Sequence, residues 1–126
     1  MLKRGNDMLH SITVLNKHSM PTTSDAHRIY IGRGSPLGNP YSHREHTKAS
    51  FVVPHREAAV AAYEALLIKT VEDPAQSRSA FTEALRDICR HALRGPVELV
   101  CFCKPQSCHG DVIKAFIEKA YAERSK

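Results

Sequence analysis

Between Val97 and Phe116 the chain reads VELVCFCKPQSCHGDVIKAF, and this stretch constrains the fold more than any other. The Val- and Leu-rich run from Val97 to Phe102 has the length and composition of a buried strand. Past Pro105 the apolar residues change to helical spacing at Val112, Ile113, Phe116, Ile117 and Ala120. The order is therefore strand, tight loop, helix. Three of the four cysteines (Cys101, Cys103 and Cys108) fall in or beside that loop, together with Ser107, His109, Gly110 and Asp111. Reactive side chains thus gather where a helix N-terminus exposes unpaired N–H groups, at the carboxyl end of a strand, where open α/β sheets bind ligands.

The rest of the chain supplies the partners such a unit needs. Residues 1–10 are polar and basic without periodicity and are expected to form a flexible N-terminal arm, leaving 11–126 as a single α/β domain. Ser11 to Asn16 and Arg28 to Ile31 are short β-rich runs, separated by the turn-forming segment Lys17 to Ala26. A helix is expected from Pro54 with Val60, Tyr63, Leu66, Leu67 and Val71 on its apolar stripe, stopped by Asp73-Pro74. A second runs from about Gln76 to Leu93 and ends at Gly95-Pro96, with Cys89 on its apolar face as a small buried hydrophobe. The expected fold is a small, three-layer, Rossmann-like α/β domain with a mainly parallel sheet of three to four strands and about three helices, any fourth strand falling in residues 42–53. A right-handed crossover from the second strand to the third would leave their carboxyl-terminal loops on one edge.

The loop after the second strand is the other informative stretch. Gly32 to Pro40 holds three glycines and two prolines, which excludes a regular element. Small residues let backbone N–H groups approach a ligand, and Arg33 offers a forked donor for phosphate or carboxylate. The spacing G-x-G-x-x-x-G is neither the dinucleotide fingerprint nor a Walker A loop. Ser42 to Ser50 is polar and is expected to be a mobile segment able to lie over the site.

Charge and cysteine usage bound the chemistry. The formal net charge of +5 leans towards anionic partners, although the basic residues are scattered rather than clustered. No long apolar run and no signal-type N-terminus is present, so a cytoplasmic protein without a membrane partner is expected, and its cysteines are expected as thiols rather than disulfides.

Three chemistries are open to the two loops. Cys101, Cys103, Cys108 and His109 are zinc-ligand types, but C-x-C-x4-C-H is not a usual knuckle and Cys101 is expected to be buried, so neither metal nor cofactor is expected. Cys108 could be a thiol activated by the helix terminus and His109, with Asp111 one turn in; the competing reading has Ser107 or Cys108 as a helix cap. The third reading is an anion or nucleotide cradle. It uses Arg33, Gly34, Ser35 and Asn39 from one loop, Ser107 and Gly110 from the other, and Asn16 from the end of the first strand as ligand-binding residues. Asp111, His109 and Cys108 are its candidate catalytic residues. It takes in the most residues and is preferred: a nucleotide- or nucleoside-phosphate-handling protein, acting at a glycosidic or phosphate bond if it is an enzyme. The alternative is a non-enzymatic accessory module that binds nucleic acid or another macromolecule, with a zinc site as an option. A small nucleotide-like molecule is the expected partner, with nucleic acid and a homodimer as further candidates.

Val14-Leu-Asn16, the run from Tyr30 to Tyr41 and the run from Cys101 to Ile113 together resemble the phage and bacterial family catalogued as domain of unknown function 4326, over nearly the whole chain. The resemblance implies a small Rossmann-like α/β domain, often encoded by phage or prophage, and assigns no reaction; with it the non-enzymatic alternative becomes a phage accessory module that binds nucleic acid or a host factor. The basic N-terminal arm does not align with the family pattern.

Overall fold

The run VELVC forms β5, Val97–Cys101, the middle strand of a three-stranded sheet of order β1-β5-β2, where β1 is Ile12–Asn16 and β2 is His27–Tyr30. Both neighbours run parallel to it. The central place explains the composition, because a strand covered on both faces reads as a nearly unbroken apolar run. Val97, Leu99, Val100 and Cys101 are buried. The edge strands carry the mixed sequences, and β1 buries Ile12 while exposing Thr13. Glu98, the polar residue of β5, faces its register partner Arg28 and accepts a hydrogen bond from Arg28 Nε at 2.8 Å. That partly buried ion pair favours the β2 register over a one-residue slip.

This computed structural model describes residues 9–17, 25–32, 34–42, 51–52, 56–101 and 109–124. Each expected strand appears within a residue of its bounds, and the expected parallel α/β fold is the one observed, consistent with a Rossmann-like arrangement. The extra strand material stays apart from the main sheet. Tyr41–Ser42 (β3) and Phe51–Val52 (β4) pair in parallel as a separate two-stranded sheet.

Three helices complete the unit: α1, Arg56–Glu72; α2, Ala80–Ala92; and α3, His109–Arg124. Pro54, the expected opening of α1, lies outside the described residues. The start expected at Gln76 for the second helix is corrected to Ala80. Pro74–Gln76 is instead a 3-10 turn whose entry is capped by Asp73, with the carboxylate accepting from the Ala75 N–H at 2.9 Å. Ser79 then caps α2 by accepting from the Thr82 N–H. Two consecutive caps beat the continuing helical pattern because each satisfies donors that a helix start leaves open.

One core joins these elements, with Ile12, Tyr63, Leu67, Leu85, Ile88, Leu99, Ile113 and Ile117 among its buried members. Cys89, expected as a small buried hydrophobe on the α2 stripe, packs against this core but is only partly buried. Leu9 also packs on this core, and the His10 N–H donates to the Ala92 carbonyl at 2.8 Å, which ties the end of the basic arm to the domain. Val71 departs from its expected place on the buried stripe. It is 38% exposed and, with the 43% exposed Ile68, lines a groove of about 390 Å³ between the end of α1 and α3. Among the described residues no helix is long and apolar enough to cross a membrane.

Candidate functional site

Because β1, β2 and β5 are parallel, Asn16, Tyr30 and Cys101 end at one edge of the sheet. Ile31 continues β2 for one more bond, its N–H donating to the Val100 carbonyl at 2.9 Å. The chain then folds into two successive turns. The Ser35 N–H and Oγ both donate to the Gly32 carbonyl, at 3.1 and 2.6 Å, and the Gly38 N–H donates to the Ser35 carbonyl at 3.0 Å. Within the first of them Gly34 takes φ +94°, a conformation that L side chains rarely adopt. Nothing lies within 4 Å of a Cβ built there, so the backbone is the whole constraint. Gly34→Ala is expected to cost about 1–2 kcal/mol in urea unfolding with no change in the slope of the transition. A wild-type midpoint in that variant would show that the loop relaxes freely.

The loop is held against α1 by polar bonds. Asn39 is 8% exposed and its Nδ2 donates to the Ala59 carbonyl at 3.2 Å. The Tyr63 hydroxyl, on a ring with no exposed area, donates to the Leu37 carbonyl at 2.7 Å. Asn39, a ligand-binding candidate by sequence, thus has a structural task in fastening the loop, and the half-buried Ser35 has one in shaping it.

His109 opens α3 and is 4% exposed. Its Nε2 lies 2.6 Å from the Ile31 carbonyl. A carbonyl oxygen only accepts, so Nε2 carries the proton and, in the neutral ring, Nδ1 becomes the acceptor. The same imidazole meets Tyr63 edge-on, with ring centroids 5.0 Å apart and an interplanar angle of 64°. The start of α3 is therefore fastened to the end of β2 and, through Tyr63, to the loop at Leu37. The two sequence motifs meet, and a buried histidine is what joins them.

Around this joint, Asn16 is half-buried at the end of β1, Gly110 is buried beside His109, and Asp111 is half-buried in the first turn of α3. Cys101 is 1% exposed, as expected for a strand residue facing the core. Arg33, Cys103, Ser107 and Cys108 lie outside the described residues. Among the described residues no cluster of three or more His, Cys, Asp or Glu is placed to hold a metal. The sequence reading missed two participants. Tyr63 reads as an ordinary member of an apolar stripe, its one signal being a hydroxyl at a buried position. The Ile31 carbonyl carries no signal in the sequence at all.

The sheet edge, the glycine loop and the helix terminus define a small parallel α/β domain with its candidate site at the carboxyl ends of the strands. The chain belongs to the DUF4326 family, a domain of unknown function whose pattern matches residues 14–119 and so includes both motif loops. No curated protein and no solved structure matches the chain.

Proposed function

We propose that this domain binds a nucleotide or nucleoside phosphate at the carboxyl edge of its parallel sheet and acts on its glycosidic or phosphate bond. The hydrogen bond from His109 to the Ile31 carbonyl carries the reading, since it brings the glycine-rich loop and the start of α3 to the same place. A helix N-terminus offers N–H donors and a partial positive charge to an anion, and a glycine-rich turn beside it leaves room for one. Asp111, in the first turn of α3, is the candidate acid or base. His109 spends Nε2 on the Ile31 carbonyl and acts here as a positioning residue. Arg33, Ser107 and Cys108 enter from the sequence, Arg33 as the forked partner of a phosphate and Ser107 and Cys108 as the approach to the helix terminus. The net charge of +5 favours an anionic ligand.

A thermal-shift panel of nucleoside mono-, di- and triphosphates tests the reading: at least one class is expected to raise the melting temperature of the wild type, and a flat panel would overturn it. Gly110 supplies a finer check. A glycine in the first helical turn costs on the order of 1 kcal/mol against Ala, which is understandable if a ligand rests on the adjacent amides. Gly110→Ala is expected to keep the fold by circular dichroism and to weaken the ligand found in the panel at least tenfold, about 1.4 kcal/mol. Undiminished affinity would assign the glycine to helix packing instead.

A further inference from the structure

On either flank of β5 the carboxyl edge carries one polar-ended side chain, Tyr30 at the end of β2 and Lys17 just after β1. Tyr30 ends β2 and is 41% exposed, whereas Ile31 beside it has no exposed area. Lys17 follows β1, and its N–H donates to the Cys101 carbonyl at 2.7 Å, which seats it over the end of the central strand. From there its ammonium lies 5.8 Å from the centroid of the Tyr30 ring. Gly32 forms the support beneath the ring: a Cβ on this buried glycine would come within 2.3 to 2.6 Å of the Tyr30 hydroxyl, Cζ and Cε1. The phenol therefore rests on the backbone that opens the glycine loop, one residue from the carbonyl that His109 grips.

An exposed ring backed by main chain, with a cation at its face, selects among ligands. The ammonium disfavours a cationic ligand on the same ring, and the ring gives less to a bare phosphate or a ribose than to a flat base. A planar π-system joined to an anion satisfies both groups, and that is the chemistry of a nucleotide. We infer that Tyr30 is the shelf on which the base of the bound nucleotide stacks, with the flexible Lys17 side chain giving up the ring face to meet the phosphate. The inference rests on the nucleotide reading of the site and adds the residue that distinguishes a nucleotide from a sugar phosphate.

The test is calorimetric titration of the four common ribonucleoside 5′-monophosphates and of ribose 5-phosphate into the wild type, Tyr30→Ala and Tyr30→Phe. The best-bound monophosphate is expected to lose roughly tenfold or more in Tyr30→Ala, to stay within about twofold in Tyr30→Phe, and to bind the wild type more tightly than ribose 5-phosphate. Ribose 5-phosphate is expected to bind both variants as it binds the wild type. A monophosphate that binds Tyr30→Ala as well as the wild type would overturn the shelf and leave the phosphate site standing. Equal losses for ribose 5-phosphate and the monophosphate in Tyr30→Ala would also overturn it, by tracing the effect to the loop. If neither compound class binds the wild type, the shelf and the nucleotide reading fall together.

Discussion

Tyr63→Ala is expected to remove about 3–5 kcal/mol of stability, the largest loss foreseen for any single substitution considered. The ring is wholly buried and lies between Phe81, at 6.1 Å between centroids, and His109, at 5.0 Å. Truncation therefore opens a cavity where α1, α2 and α3 meet, and a domain whose total stability is on the order of 5–15 kcal/mol has little to spare. Tyr63→Phe separates the hydroxyl from the ring. It keeps the packing but leaves the Leu37 carbonyl without its Tyr63 donor, for an expected loss of about 1–2 kcal/mol. Urea unfolding of both variants checks the pair of values. A Phe variant as stable as the wild type would show that the hydroxyl does not hold the loop.

His109→Ala should be nearly as damaging, by about 2–4 kcal/mol, through a different cause. It withdraws the Nε2–H from the carbonyl of Ile31, a residue with no exposed area, and removes the ring that Tyr63 meets edge-on. Because His109 and Tyr63 share a contact, their losses should not add. A double-mutant cycle is expected to return a coupling of at least about 0.5 kcal/mol, whereas strict additivity would deny that the two side chains form one joint. The joint also matters to the site. His109→Ala frees the start of α3 from the end of β2, so nucleotide affinity should fall at least tenfold, about 1.4 kcal/mol, in conditions where the variant remains folded. Partial recovery of stability in His109→Gln, whose amide can donate to the Ile31 carbonyl, would identify the lost interaction as the hydrogen bond.

Much of this molecule is legible one segment at a time. The Val-rich run before Cys101, the change to helical spacing after Pro105 and the glycine turns after Tyr30 each depend on neighbours a few residues away, and each was located from the sequence to within a residue or two. Burial of Cys101 follows from its strand, and contact of Cys89 with the core from its helical stripe, although that side chain is less buried than the stripe suggests. The start of α2 was misplaced by four residues, because the helical pattern of apolar residues runs back through a segment that Asp73 and Ser79 cap twice.

Other features belong to the tertiary structure. The strand order β1-β5-β2 places the last strand in the middle, and no local pattern encodes which strands become neighbours. Val71 fits the stripe of α1 yet stays exposed, because periodicity marks a face and cannot say how far along the helix that face is covered. His109 reads as a reactive residue beside cysteines, but the fold buries it and commits Nε2 to a backbone carbonyl 78 positions earlier in the chain. Tyr63 reads as core and is core, yet its hydroxyl reaches a loop carbonyl 26 positions away. The sequence by itself determined the elements and the two loops that carry the polar residues, since short-range sterics, capping and hydrophobic spacing are written in adjacent residues. Only the tertiary structure decided that a histidine fastens the start of α3 to the end of β2 and that a tyrosine ties both to the glycine loop, because a hydrogen bond to main chain depends on where a distant backbone passes and leaves no mark on the residue that accepts it.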